Sequence, residues 1–87
     1  GMVGSTLVQL FSWDEATFLR CTEGSPIRRI GHVRWLRNIA VAMGNALTTA
    51  LSADDRAAIQ TALQQRASHD SEIVREHVQW ALAQANQ

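Results

Sequence analysis

The sequence contains no lysine, one cysteine and one proline among its 87 residues. A single thiol, Cys21, cannot form an internal disulfide or supply a thiolate set for zinc or an iron-sulfur cluster. One proline and five glycines are too few chain breakers for a disordered chain, and 46% hydrophobic residues suffice for a core. These scarcities exclude redox chemistry by this chain alone and indicate one globular domain.

Charge is balanced overall but unevenly distributed. The net charge at pH 7 is zero, which argues against a strong overall field for nucleic acid. Between residues 20 and 45, however, five arginines accompany one acidic residue, Glu23. The exclusive use of arginine fits either genome base composition or the suitability of the guanidinium group for phosphate, and both explanations stay open.

The sequence has no sign of membrane insertion. No apolar run approaches the roughly 20 residues of a membrane span, and the start GMVGSTLVQLF lacks the features of a signal peptide. A cytoplasmic location without membrane contact is therefore expected. We interpret Gly1 before Met2 as the remnant of a cleaved tag, residues 1–11 as remnant and lead-in, and residues 12–87 as a domain taken from a larger protein.

Helix start signals divide the domain into four main helices. The predicted caps are Ser12 with Glu15 in a capping box, Ser25 before Pro26, and Ser52; Asp70-Ser71 opens the last helix. Gly31 should break or bend the second helix. The predicted helices cover residues 13–22, 26–30 followed by 32–45, 53–67 and 72–85.

Apolar residues recur at a three/four spacing in every segment, and no strand-like alternation competes, so the predicted fold is all-α. The helix after Gly31 has the widest apolar face and is expected to be central. The residues expected to face inward are some of Trp13, Ala16, Phe18, Leu19 and Cys21 in the first helix. In the later helices they are Val33, Leu36, Ala40, Met43, Leu47, Ala58, Ile59, Ala62, Leu63, Val74, Val78, Ala81, Leu82 and Ala85.

A weak internal repeat indicates how the helices are arranged. The start signals at 12–15 and 52–55 resemble each other, and Leu36-Arg37-x-x-Ala40 has an echo in Val74-Arg75-x-x-Val78. This period is that of a HEAT-like hairpin repeat and predicts two antiparallel helical hairpins, a fragment of a right-handed α-α superhelix. Two units are few for such a solenoid, so we expect packing on another domain, and a homodimer of the isolated chain would be unsurprising.

Four arginines surround the start of the central helix: Arg28, Arg29, Arg34 and Arg37. If this segment is helical, Arg34 and Arg37 project on neighbouring sides, and N-terminal amides add positive charge suited to nucleic-acid phosphates. The structural alternative is that these arginines bond to helix ends or form salt bridges. The carboxylates available for such bridges are Asp14, Glu23, Asp54 and Asp70.

The repeat distinguishes among these arginines. Arg37 has a counterpart in Arg75, which favours a structural role for that pair. Arg28, Arg29 and Arg34 have no counterpart and are the better functional candidates. Trp35, between Arg34 and Arg37, is a candidate base-stacking platform, although tryptophans beside apolar helix faces, Trp13 and Trp80 included, more often belong to the core.

Other chemistry-bearing residues give weaker signals. The acidic pairs at 14–15 and 54–55 lie in first helical turns, where acid stabilises the helix dipole, so catalytic carboxylates are not favoured. His69 near Glu72 and Glu76 matches no metal-ligand pattern. We assign no catalytic, cofactor-binding or metal-binding residue, and no constellation supports an independent enzyme.

Several short motifs occur in an order and spacing that are distinctive together. They are Phe18, the turn Gly24-Ser25-Pro26-Ile27 with Arg29, the step Leu36-Arg37-Asn38, the helix end Gly44-Asn45 and the late helix Val74-Arg75-Glu76-His77. Over residues 12–85 the chain thereby resembles the C-terminal HEAT-like region of bacterial epoxyqueuosine reductase.

The resemblance implies a parent enzyme that reduces epoxyqueuosine to queuosine in transfer RNA, using cobalamin and four-iron clusters. The family's motif C-x-x-C-x-x-C-x-x-x-C-P and its cobalamin-binding region are absent here, so no catalytic residue is carried over and no cofactor is expected in this chain. What is implied is a non-catalytic accessory domain whose arginines contact transfer RNA beside the missing catalytic domains. The alternative is a docking scaffold that packs on the catalytic core without RNA contact.

Overall fold

The computed structural model describes residues 2–86 and contains only helices and connecting turns over that range. The helices are α1 (Met2–Phe11), α2 (Glu15–Cys21), a 3₁₀ helix (Pro26–Ile30), α3 (Gly31–Ala46), α4 (Ala53–Gln65) and α5 (Glu72–Gln84). The predicted all-α class is confirmed. None of the helices in this described range combines the length and apolarity needed to cross a membrane.

Helix α3 is central. It packs most extensively on α5 and also on α1, while α1 packs on α4 and α4 on α5. The contact between α2 and α3 is smaller than that between α1 and α3. The pairing therefore differs from the expected one, in which residues 13–22 form the hairpin partner of the central helix.

Two of these helix pairs run in the same direction. Along α3 and α5, Val41 and His77 line one groove, and Gly44 faces Ala81 about one turn further on. Along α1 and α4, Gly4 faces Asp55 near both helix starts, and Phe11 lies beside Arg66 at both helix ends. In each pair, residues later in one helix contact residues later in the other, so the two helices are parallel.

One apolar core lies between α1, α3, α4 and α5. Its buried members are Phe11, Leu36, Ile39, Ala40, Met43, Leu47, Ile59, Ala62, Leu63, Val74, Val78 and Ala81. Most inward positions expected on α3, α4 and α5 are buried, although Val33 and Ala58 are exposed. On α2 only Phe18 is buried, because this short helix lies at the edge of the domain.

Residues 2–11 are more than a lead-in, because they form α1. Leu7, Val8 and Leu10 pack against the core, and Phe11 is 1% exposed. No capping residue precedes this helix in the sequence, so its apolar face is the feature that could have predicted it. Gly1, the interpreted tag remnant, lies outside the described residues.

The expected capping box of Ser12 and Glu15 does not form. Ser12 lies in the last turn after α1, where its hydroxyl donates to the Gln9 carbonyl oxygen at 2.6 Å. The N-cap of α2 is Asp14, whose carboxylate accepts a hydrogen bond from the Thr17 amide at 2.8 Å. This bond from the Thr17 backbone, together with a hydrogen bond from the Thr17 side chain, holds the pKa of Asp14 below its ordinary value.

The other two predicted serines lie at helix starts. Ser25 accepts from the Ile27 amide at 3.2 Å, with Pro26 at the first helical position, and Ser52 accepts from the Asp55 amide at 3.1 Å. Gly31 separates the 3₁₀ helix from α3 with φ 83° and ψ 161°. This conformation is essentially restricted to glycine, so Gly31 sets the angle between the two segments.

Substitution of Gly44 by alanine should destabilise the domain. Gly-to-Ala inside a helix normally stabilises, but here a Cβ would collide with the Trp80 ring and lie 3.0 Å from the Ala81 Cα. We expect a loss of about 1–3 kcal/mol of unfolding free energy, the usual cost of overpacking, measured by urea denaturation. Combining Gly44→Ala with Trp80→Leu should recover part of the loss, and a stabilised single variant would contradict the close approach of α3 and α5.

His69 should make stability depend on pH. Its Nδ1 accepts a hydrogen bond from the Ser71 amide at 3.0 Å and must be unprotonated to do so. Burial lowers the pKa of His69 below its ordinary value, and Arg66, His32 and Arg75 lower it further while Asp70 opposes them. The contribution to stability is therefore complete above pH about 6.5 and declines as pH falls below that value.

The measurement is urea unfolding at a series of pH values from about 7.5 to 5, above the range in which carboxylates dominate. His69→Asn is the matched variant, since its amide oxygen can accept from Ser71 without titrating. We expect a flatter pH dependence for the variant. The same slope in both proteins would show that His69 does not carry it.

Candidate functional site

Three arginines hold the connections between helices by donating to two backbone carbonyl oxygens each. Carbonyl oxygens at helix ends and in turns often lack a backbone partner, and a guanidinium fork can donate to two of them at once. The bonds are Arg66 to Phe11 (2.8 Å) and Trp13 (3.1 Å), Arg56 to Leu47 (2.9 Å) and Thr49 (3.0 Å), and Arg75 to His69 (2.7 Å) and Asp70 (2.8 Å). We call these three arginines the clamp arginines.

Arg66 is the most enclosed of the three. Its guanidinium lies 5.4 Å from the centre of the Phe11 ring, and burial lowers its pKa from the ordinary value, with Asp14 opposing the shift. The Trp13 carbonyl also lies 2.7 Å from His32 Nε2, which donates to it. The turn between α1 and α2 is thus held by α3 and the end of α4 together.

The connection from α2 to α3 has no clamp arginine and carries the exposed ones. Arg28 and Arg29 lie on the 3₁₀ helix, and Arg34 lies in the first turns of α3; all three are exposed. Within residues 2–86 none of them has a hydrogen bond or ion pair, with Asp14, Glu23, Asp54 or Asp70 or with any other group. We call these three the exposed arginines.

Arg37 differs from the exposed arginines. It is half-buried and donates to the Asn38 side-chain oxygen from Nε at 3.2 Å and from Nη2 at 3.0 Å. Its repeat counterpart Arg75 is a clamp arginine that bonds to carbonyls, so the two occupy related positions but make different contacts. Arg37 is therefore not one of the exposed arginines, and its predicted contact with RNA stays a prediction.

Arg28 and Arg29 border an open depression of about 660 Å³, which Leu19, Gly24, Ser25 and Pro26 also line. Gly24 has φ 77°, a left-handed conformation that turns the chain out of α2. The 3₁₀ helix is a single short element, and Ser25 already occupies its Ile27 amide. Positive charge at the depression therefore comes from the guanidinium groups, although the sequence also predicts a contribution from helix-end amides.

Trp35 lies in an aromatic cluster that joins α1, α2 and α3. Its ring stacks on Trp13 at 5.4 Å between centroids and 11° between planes, and it is tilted against Phe18 at 5.3 Å. Its Nε1 donates to the Leu10 carbonyl oxygen at 3.2 Å. One face and the polar edge of Trp35 are thus engaged within the domain.

Trp80 is the more accessible tryptophan, with 40% of its side chain exposed. The sequence favours Trp35 as a stacking platform because it lies between two arginines, and the α5 periodicity does not distinguish Trp80 from a core residue. The relevant signal is Gly44, a glycine inside the central helix, which makes room for a large ring outside α3. Sequence alone does not show which ring fills that room.

No group of three or more histidine, cysteine or acidic side chains within residues 2–86 could hold a metal ion. Cys21 is an exposed free thiol. The arrangement that remains as a candidate site is the cationic surface of the exposed arginines with its adjacent depression.

Nearly the whole chain is similar to one region of a reductase. The relatives are named epoxyqueuosine reductase: one from Alicycliphilus denitrificans is 64% identical over 81 residues, covering 93% of this chain and 22% of the relative. Those from Xanthomonas campestris pv. campestris and Escherichia coli are 61% and 53% identical and cover 92% and 90% of the chain.

The resemblance to epoxyqueuosine reductases that the sequence motifs indicate is thereby confirmed. The chain spans about a fifth of the length of these relatives, 22%, 21% and 18% respectively. No protein-family model matches the chain, and no solved structure matches it.

Replacing the exposed arginines should affect stability much less than replacing a clamp arginine. The triple variant Arg28→Gln, Arg29→Gln, Arg34→Gln removes no hydrogen bond within residues 2–86, so we expect an unfolding free energy within about 0.5 kcal/mol of wild type. Arg66→Gln leaves the carbonyls of Phe11 and Trp13 without this donor and should cost about 1.5–3 kcal/mol. Urea denaturation of both variants tests this, and a strongly destabilised triple variant would contradict the grouping.

Proposed function

We propose that this chain is a non-catalytic, C-terminal accessory region of a transfer-RNA epoxyqueuosine reductase and that the exposed arginines contact the RNA backbone. The observation that supports this most directly is the division among the arginines. The clamp arginines are occupied by backbone carbonyls, whereas Arg28, Arg29 and Arg34 present free guanidinium groups on one connection. The relatives bear the name of the enzyme, and the chain is similar to about a fifth of each.

The chemistry of the exposed arginines suits phosphate. A guanidinium group offers planar paired donors that match phosphate oxygens, and it keeps its charge at every physiological pH. Arg28 and Arg29 are neighbours at one open depression, and Arg34 follows at the start of α3. Three such contacts fix the position of an RNA backbone without themselves reading its sequence, in agreement with a chain of zero net charge.

We propose that the architecture is a HEAT-like repeat pair with α1 and α3 as the first hairpin and α4 and α5 as the second. In a stack of such hairpins, first helices pack on first helices and second on second, and α1 packs on α4 while α3 packs on α5. Helix α2 and the 3₁₀ helix are then an insertion between the two helices of the first hairpin. The exposed arginines lie on this insertion and at its exit, where extra residues do not disturb the core.

The parent enzyme is proposed to act in the cytoplasm on epoxyqueuosine in transfer RNA, with cobalamin and four-iron clusters as cofactors. One exposed thiol and the absence of a ligand group in residues 2–86 do not fit such cofactors. In this proposal they are held by the catalytic domains, which are further partners of this region.

A second proposal is a docking scaffold without RNA contact. Its support is an apolar surface next to the exposed arginines, where Ile27, Ile30 and Val33 are 46%, 37% and 38% exposed and Leu19 is 36% exposed. A protein surface with apolar groups and carboxylates would match it. In that case the arginine substitutions would weaken attachment to the catalytic domains and leave RNA affinity unchanged.

The deciding measurement is transfer-RNA binding by the 87-residue chain across a salt series. Each neutralised phosphate releases about one counterion, so we expect a log-log slope near −3 for wild type and a slope near zero for the Arg28→Gln, Arg29→Gln, Arg34→Gln variant. Arg20→Gln, which removes an exposed arginine from α2, is the control for a general loss of positive charge. Equal affinity of wild type and triple variant at low salt would refute the backbone contact and favour the docking scaffold.

A further inference from the structure

A groove of about 380 Å³ lies on the face formed by α3 and α5, apart from the arginine depression. It is lined by Val41 from α3 and by Glu76, His77 and Trp80 from α5. The benzo ring of Trp80 lies against Gly44, which holds the indole beside α3 while 40% of the side chain stays exposed. An aromatic surface fixed in this way loses little conformational freedom when a planar ligand stacks on it.

We propose that this groove binds one unpaired RNA base whose edge carries hydrogen-bond donors, guanine above all. The inference rests on the proposed RNA contact and extends it along α3. It assigns Trp80 as the stacking surface and Glu76 with His77 as the acceptors for the edge of the base.

The polar groups of the groove act as acceptors. His77 Nδ1 lies 2.7 Å from the Ile73 carbonyl oxygen and donates to it, so in the neutral ring Nε2 carries a lone pair. The Glu76 side chain is exposed, and its carboxylate accepts as well. Among the bases, guanine has two adjacent donors on one edge, the ring N1–H and the 2-amino group.

The charges around the groove favour a nucleotide over a protein side chain. Arg34 and Arg37 precede Val41 by seven and four residues, which places them roughly 10 Å and 6 Å back along the axis of α3. A lysine or arginine from a partner could stack on Trp80 and pair with Glu76, but these two arginines would repel it. A nucleotide fits both the groove and the arginines, because its uncharged base can stack on Trp80 while its phosphates lie near Arg34 and Arg37.

The test uses short single-stranded RNAs with the 87-residue chain and follows tryptophan fluorescence and affinity together. The probes are UUGUU, UUIUU with inosine, which lacks the 2-amino group, and UUUUU. We expect quenching and the tightest binding for UUGUU, with roughly fivefold weaker binding for UUIUU. Equal affinity for all three probes would overturn the assignment of a donor-bearing base.

Variants assign the signal to the groove. Trp80→Leu should remove the quenching and weaken UUGUU binding by about tenfold, whereas Trp80→Phe, which keeps an aromatic ring, should retain most of the affinity. Glu76→Gln replaces an exposed carboxylate without disturbing the core and should abolish the preference of guanine over inosine. Unchanged quenching and affinity in Trp80→Leu would overturn the proposal, with circular dichroism confirming that each variant is folded.

The same experiment separates this inference from the backbone contact. The Arg28→Gln, Arg29→Gln variant should show a salt slope on transfer RNA near −1 instead of −3, because Arg34 remains, and keep the preference for UUGUU. Salt-dependent transfer-RNA binding without any effect of Trp80 or Glu76 would refute the base site alone. A guanine preference that persists while the arginine variant binds transfer RNA like wild type would refute the backbone contact alone.

Discussion

The structure depends on guanidinium groups that bind backbone carbonyls. A chain of this size buries a small core, and each helix end leaves carbonyl oxygens without intrahelical partners. Arg56, Arg66 and Arg75 donate to six carbonyl oxygens at helix ends and turns in three connections, so each of these side chains holds one connection in place. Hydrogen bonds from a charged donor are stronger than those between neutral groups, which suits a task given to single residues.

This role explains how a protein of zero net charge can still have a cationic surface. Three of the eight arginines donate to backbone carbonyl oxygens, so their guanidinium groups are occupied within the turns. The connection between α2 and α3 is ordered differently, by Pro26, the Ser25 cap and Gly31, and needs no arginine. The guanidinium groups of Arg28, Arg29 and Arg34 therefore have no bonding partner within residues 2–86, and this is the basis of the proposed RNA contact.

Sequence reasoning recovered the parts of the fold that depend on periodicity. The boundaries of α3, α4 and α5 lie within two residues of the predicted ones, and their buried residues follow the three/four spacing. Helix α1 was missed because it has no cap signal, and the Ser12 box was misassigned because that serine ends one helix instead of starting the next. The helix pairing also depends on α1, so missing this helix led to a different first hairpin.

The division among the arginines could not be read from the sequence. Arg66 bonds to carbonyls more than fifty positions earlier in the chain, and nothing local distinguishes it from an exposed arginine. The sequence offered one hint, the absence of a repeat counterpart for Arg28, Arg29 and Arg34, and the functional role inferred from it stays a prediction. For Trp35 and Trp80, the contrast in exposure depends on tertiary contacts with Trp13 and Gly44, which a helical pattern does not encode.

Phe11 connects most of these features, because its side chain is buried in the core, its ring lies under the Arg66 guanidinium and its carbonyl oxygen accepts from the same arginine. A recombinant version trimmed to start at residue 12 would therefore lose a hydrophobic anchor, a cation-π partner and a hydrogen-bond acceptor at once. Arg66 would then be a half-buried cation without its main support. The folding unit therefore includes residues that lie before the first recognisable cap, and one of the groups that bind them is an arginine far along the chain.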